Sequence, residues 1–257
     1  MVNQLFSEFS QLPQIEAIAL GGSRAGTHFD AKSDYDVYLY CTPPVPEQTR
    51  REILSRYCSY MEIGNSFWEL EDNCTLTSGI DIDILYRNLD DFTAGVAAVV
   101  EQFQSHNGYT TCMWHNLRTC KILYDGNGRL AAAKARFDVP YPPQLKESII
   151  TRNRKLLSGT LPAYQTQVTK ALNRGDLVSV NHRISAFLES YFDIIFALNG
   201  QTHPGEKRLM ALCRQNCPIL PEHFEENLNL LFSAMFTDPR QTALALETII
   251  AEIEKLL

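Results

Sequence analysis

No apolar run in the 257 residues approaches the ~18 needed to span a bilayer, so a membrane-embedded protein is not expected. An excess of basic residues is missing too. Lys and Arg number 23 against 30 Asp and Glu, which leaves a net charge of −7. Proteins that grip long nucleic acids through phosphates are usually basic, so long DNA or RNA is set aside as the working substrate. The start, Met1-Val2-Asn3-Gln4, has no basic segment before an apolar stretch, and no secretory signal is expected. The seven cysteines are odd in number and have no framework spacing. Cys213 and Cys217 are four apart and Cys112 and Cys120 lie near His115, but no complete zinc set forms. They read as reduced, mostly buried thiols, and a cytoplasmic location is expected. Repeats and low-complexity segments are also lacking. What remains, 45% hydrophobic and 21% charged residues, is ordinary for a globular protein of one or two domains.

The most informative segment is Leu20-Gly21-Gly22-Ser23-Arg24-Ala25-Gly26, followed by Ser33-Asp34-Tyr35-Asp36-Val37-Tyr38-Leu39. Ile15 to Leu20 is short, apolar and ended by glycines, as a buried strand is. Gly21 and Gly22 permit unusual backbone angles and allow phosphate to approach the main chain. Ser23 adds a hydroxyl, and a helix opening there would offer free N–H groups to an anion. Asp34, Asp36 and Tyr38 alternate with Val37 and Leu39, so the polar set shares one face of a strand. Two carboxylates at that spacing suit Mg²⁺. Two-metal sites hold ions roughly 3.5–4 Å apart, where they stabilise attacking and leaving oxygens.

A third carboxylate is sought in Gly79-Ile80-Asp81-Ile82-Asp83-Ile84-Leu85-Tyr86, another strand by its alternation. Asp81 and Asp83 share a face. Asp83 is favoured because it sits deeper in the apolar run, as metal ligand or as general base.

Around these motifs, residues 4–12 read as a short helix. Pro43-Pro44-Val45-Pro46 breaks the chain, Glu47 to Met61 reads as a helix, and Phe67 to Leu70 as a strand or loop. A helix opens at Leu89 and runs to about Phe103. Residues 110–135 read as helical with a turn at 124–128. Prolines at 140, 142 and 143 mark a linker, which places a boundary between 1–139 and 140–257. Beyond it, helices are expected at 145–157, 162–173, 176–199, 205–215, 221–235 and 240–257, an all-α bundle.

In that half, Glu189 and Asp193 are four apart on the long helix and share a face, which reads either as a solvated helix face or, if it meets the cleft, as a site that binds or deprotonates a cationic acceptor. His203-Pro204-Gly205-Glu206-Lys207-Arg208 reads as a helix start with two cations, an unfavourable placement for the helix dipole unless an anion compensates. Trp68 and Trp114 read as core residues before stacking platforms.

The apolar strand, Gly22-Ser23, Asp34-x-Asp36 and Asp83 together resemble the signature of the nucleotidyltransferase superfamily that includes DNA polymerase beta. The form Gly22-Ser23-Arg24-Ala25-Gly26, Ser33 before Asp34 and the helical second half are similar to two-domain bacterial antibiotic adenylyltransferases of the streptomycin/spectinomycin or lincosamide type. This resemblance implies an α+β protein: an N-terminal nucleotidyltransferase fold, with a mixed β-sheet flanked by helices, before the C-terminal bundle. It implies that Gly22, Ser23, Arg24 and Ser33 contact nucleotide phosphates, with Lys207 reaching the triphosphate. Asp34, Asp36 and Asp83 would hold Mg²⁺, two ions in all, with ATP as substrate. The activity implied is transfer of a nucleoside monophosphate, AMP from ATP, to a hydroxyl of a small molecule such as an aminoglycoside or lincosamide. The alternatives are a protein-modifying adenylyltransferase of toxin–antitoxin type and a non-catalytic nucleotide-binding regulator. The aminoglycoside enzymes often carry glutamate as the third acid where this chain has Asp83.

Overall fold

The computed structural model describes residues 2–26, 33–67 and 69–257. The first elements are α1 (Val2–Ser10), β1 (Ile15–Leu20), α2 (Gly22–Ala25), β2 (Tyr35–Cys41), α3 (Glu47–Leu54), β3 (Cys58–Asn65), β4 (Glu71–Leu76) and β5 (Asp81–Arg87). Next come α4 (Leu89–Val100), α5 (Cys112–Thr119), β6 (Lys121–Asp125) and α6 (Arg129–Arg136). Helices complete the chain: α7 (Pro143–Leu157), α8 (Tyr164–Asn173), α9 (Leu177–Leu198), α10 (Leu209–Asn216), α11 (Phe224–Ala234) and α12 (Pro239–Glu254). The class is α+β, as expected, with a mixed sheet, flanking helices and a helical C-terminal region. Among the described residues no helix is long and apolar enough to cross a membrane.

Two compact units divide the chain. One is Met1–Ala97 with Asn116–Val139; the other is Ala98–His115 with Pro140–Leu257. Segment 98–115 therefore groups with the C-terminal helices, unlike the contiguous 1–139 expected from sequence. Hydrogen bonds explain the grouping. Thr110 donates its N–H and hydroxyl to Asp193, and the His203 N–H donates to Thr111 Oγ1 at 2.7 Å.

In the first unit the strand order is β3-β4-β5-β2-β1-β6. β2 and β5 run parallel, and the other pairs are antiparallel. Strand alternation sends Ile18, Leu20, Val37, Leu39, Ile82 and Ile84 to one face. There they join Leu5, Phe6 and Phe9 of α1 and Ile53 and Leu54 of α3 in a buried cluster. Burying each such side chain contributes about 1.5–3 kcal/mol. The opposite face carries Asp36, Tyr38 and Asp83 together with the buried Ala17, Ala19 and Tyr40.

Two sequence readings are corrected here. The helix expected over 47–61 ends at Leu54, and 58–65 form β3 instead. Met61 and Ile63 alternate toward the core, and the ladder with β4 outweighs helical preference. The stretch 110–135 is broken by β6, a short edge strand that pairs with β1. Its residues are partly or fully exposed, so it carries little apolar alternation and its strand state depends on its partner.

The helical unit is built around α9. Phe187, Tyr191, Ile194 and Ile195 are buried there, and Tyr191 stacks on Phe187 and Phe224 with ring centroids 5.9 and 6.4 Å away. Asp176 caps α9 by accepting the Ser179 N–H at 3.1 Å, and Asp238 caps α12 by accepting those of Arg240 and Gln241. All seven cysteines are free thiols, and all but Cys112 are buried.

Candidate active site

The site is assembled where β1 ends, β2 begins and β5 runs beside β2. Gly21 donates its N–H to the Asp36 carbonyl at 2.7 Å, which seats the turn against β2. Both glycines are required by this closeness. A Cβ on Gly22 would lie 1.7 Å from Asp36 Oδ2, and one on Gly21 would lie 2.3 Å from the Tyr38 ring. Gly22 also has φ of +56°, in the left-handed region. The helix after the turn, α2, is a single turn that ends at Ala25.

Asp36 and Asp83 are direct partners in the parallel β2–β5 ladder. Side-chain alternation therefore puts them on one face, and Asp34 joins them from the residue before β2. One carboxylate oxygen from each of Asp34, Asp36 and Asp83 lies within 4.8 Å of the others, and all three residues are half-buried. Three carboxylates so close repel one another unless a cation compensates. The donor set is all oxygen, the choice of hard Mg²⁺. The residues thus fit a divalent cation.

Asp81, the other candidate for third acid, is exposed at the strand's start and accepts from Thr75 Oγ1 at 2.8 Å. Asp83 accepts from Asn73 Nδ2 at 2.7 Å. Sequence reading missed β4, which supplies Asn73 and, on the same face, Glu71. Burial raises the Glu71 carboxyl above its ordinary range, followed by the charges of Asp83 and Glu69. The signal for β4 was present as the buried alternation Asp72, Cys74, Leu76, but its first member is charged.

Deeper on this face, Tyr38 accepts from Asn116 Nδ2 at 2.7 Å, and Arg87 lies 4.2 Å over its ring. Burial pushes the Tyr38 hydroxyl up, so it stays protonated as a donor. Arg87 is itself held by Glu69 through two bonds of 2.6 and 2.7 Å.

Other expected site residues are placed differently. Arg24 Nε donates to the carbonyls of Ser33 at 2.7 Å and Asp34 at 3.1 Å, and its guanidinium lies 4.0 Å over the Tyr35 ring. Arg24 therefore braces the backbone that delivers Asp34. Ser23, in α2, is exposed and Ser33 is half-buried.

In the helical unit Asp193 is 1% exposed, and its oxygens accept from Thr110 and Asn153. This corrects the reading of Asp193 as an acceptor contact, because a sealed carboxylate with committed oxygens offers nothing to a ligand. Burial raises its pKa to about 6. Glu189 is half-buried and lines a cavity of about 580 Å³ with Tyr109, Leu188, Phe192, Glu206 and Phe232. The helix expected from 205 begins at Leu209, so Lys207 and Arg208 precede it, both exposed. Trp114 is 1% exposed and packs on Tyr141, a core residue as read. Trp68 lies outside the described residues.

A family model described as "Domain of unknown function (DUF4037)" matches residues 110–209, well under half of the chain. No curated protein matches the sequence. Among solved structures, the chain is similar to a nucleotidyltransferase-like protein from Exiguobacterium sibiricum 255-15, at 12% identity and a TM-score of 0.46, over 98% of this chain and 75% of that one. It is also similar to an aminoglycoside 6-adenyltransferase from Bacillus subtilis, at 12% identity and 0.34, over 100% and 87%. A CCA-adding enzyme solved with ATP follows at 11% and 0.29, over 99% and 79%. These likenesses are remote.

Proposed function

We propose that this chain is a nucleotidyltransferase that moves a nucleoside monophosphate, AMP from ATP, to a hydroxyl of a small molecule. The observation that carries the reading is the convergence of Asp34, Asp36 and Asp83 beside a glycine turn whose Cβ positions are filled by the site itself. Bound Mg²⁺ would neutralise the phosphates and steady the attacking and leaving oxygens. Asp34, Asp36 and Asp83 would hold it. Gly21 and Gly22 let the turn close against Tyr38 and Asp36, which brings the main chain of the turn beside the carboxylates. Ser23 and Ser33 offer hydroxyls to phosphate oxygens. Arg24 holds the segment that presents Asp34, and its part in nucleotide binding is to set that geometry. Lys207 is the proposed cationic contact for the triphosphate, and its exposure leaves it available. Glu189 is the proposed acceptor contact, in keeping with a cationic small molecule such as an aminocyclitol.

The test is a thermal-shift screen of each nucleoside triphosphate with and without Mg²⁺, on wild type and on Asp34→Asn/Asp36→Asn. A ligand that binds the native state raises the unfolding temperature by mass action. The expected result is a Mg²⁺-dependent rise with ATP that the double variant lacks. An equal rise in both proteins would sink the carboxylate site. Pyrophosphate release on adding acceptors then identifies the hydroxyl compound.

A further inference from the structure

A line of side-chain hydrogen bonds reaches Asp83 from two strands away. Glu62 of β3 stands opposite Asn73 of β4, and Asn73 stands opposite Asp83 of β5. Asn65 closes the line. Its amide nitrogen donates to Glu62 Oε2 at 3.1 Å and to Asn73 Oδ1 at 2.7 Å. Asn73 Nδ2 then donates to Asp83 Oδ1 at 2.7 Å.

The two ends of a carboxamide are alike in shape and opposite in polarity. With Asn65 donating to its oxygen, Asn73 has only its N–H end to turn toward Asp83. An ionised glutamate only accepts, so Glu62 orients Asn65 in the same sense. Reversal of the Asn73 amide would place its oxygen against a carboxylate oxygen. A carboxylate's terminal torsion is broad, and the bond from Asn73 restrains it. A neutral donor suits the task, since an arginine or lysine there would cancel the charge that Asp83 brings to the cluster.

We propose that Asn73 is a positioning residue for Asp83 as a ligand to a divalent cation, and that Asn65 sets the polarity of the Asn73 amide. The inference rests on the metal reading of the Asp34–Asp36–Asp83 cluster. Outer partners of metal ligands typically change metal affinity about 10–100-fold when removed.

The test titrates Mn²⁺ into the full chain and follows the free ion by electron paramagnetic resonance, for wild type, Asn73→Leu, Asn65→Ala and Asp36→Asn. Unfolding midpoints are taken in parallel. Asn73→Leu, nearly isosteric, should weaken Mn²⁺ binding about 10–100-fold. Asn65→Ala, on an edge strand, should weaken it less and in the same direction with its midpoint near wild type. Wild-type Mn²⁺ affinity in both variants overturns the proposal, whatever their midpoints do. If wild type binds Mn²⁺, Asp36→Asn abolishes binding and the asparagine variants bind normally, only the positioning inference falls. If wild type binds no Mn²⁺, the metal reading falls and this inference with it.

Discussion

The two faces of the sheet at β4 and β5 both carry aspartate, and they treat it in opposite ways. On the core face Asp72 has no exposed surface. It is paired with Arg50 and accepts from the Tyr86 hydroxyl and the Gly64 N–H, both at 2.8 Å. Burial, then the neighbouring Asp72 charge, holds the Tyr86 hydroxyl well above its ordinary value, so it serves as a lasting donor. On the other face Asp36 and Asp83 are half-buried and crowd with Asp34. Asp72 and Asn73 are consecutive residues, yet one closes an internal ion pair and the other serves the cluster. A carboxylate surrounded by fixed donors needs no further partner. Three that converge at a half-open surface call for a mobile cation. Residue type is shared, so the face decides the role.

The largest way to break this contrast is Asp72→Ala. It strands a buried guanidinium, and loss of one member of a buried pair costs about 3–5 kcal/mol. Urea denaturation should show that loss, and a cost below about 1 kcal/mol would mean that Arg50 finds another partner. Asp36→Asn is expected to do the reverse. It should weaken Mg²⁺-dependent nucleotide binding by more than about a hundredfold, beyond the outer-partner range. Its unfolding midpoint should hold or rise as repulsion among the carboxylates falls. A drop in midpoint comparable with that of Asp72→Ala would make Asp36 a structural acid like Asp72.

Gly22→Ala sharpens the contrast from the turn. Its Cβ would press on Asp36 Oδ2 and its φ is left-handed, at roughly 1–2 kcal/mol for a residue with a Cβ. Nucleotide binding measured by calorimetry should weaken with the metal present. Unchanged affinity would show that the turn can retreat from Asp36 without harm.

The smallest effect extends the comparison to Asp193, a buried acid whose neighbours are neutral donors. Its folded pKa of about 6 exceeds the ordinary 3.8, so the folded state holds the proton more tightly. Its stabilising contribution is full below about 3.8 and is lost as pH rises through about 6. His203 works the other way. Burial lowers it from 6.5 to about 3, so its contribution is present above 6.5 and is lost as pH falls toward 3. The two oppose each other between about pH 4 and 6. In Asp193→Asn only the histidine effect remains, so acidification from pH 6.5 to 4 should destabilise the variant more steeply than wild type. Parallel slopes in denaturation at stepped pH would refute the assignment.

Much of this was legible in the chain. β1 could be read as a short apolar run stopped by glycines, and the start of β2 because Val37 and Leu39 alternate with polar residues. The helices after residue 140 were legible because their apolar residues repeat at helical spacing. β3 and β6 were not, because edge strands bury little and take their state from a partner. β4 escaped because the first residue of its buried face is Asp72, whose partner Arg50 lies 22 residues away.

The sequence by itself determined the polar face of β2 and the glycine turn, and it left Asp81 and Asp83 both open as the third acid. The face and the turn follow from local periodicity and backbone freedom, which need no partner. The tertiary structure decided that Asp36 and Asp83 stand opposite each other, that Arg24 holds backbone, that Asp193 is sealed inside and that Asn73 faces Asp83. Each of those depends on strand register or on burial by distant segments, and no local pattern encodes which remote residue will arrive.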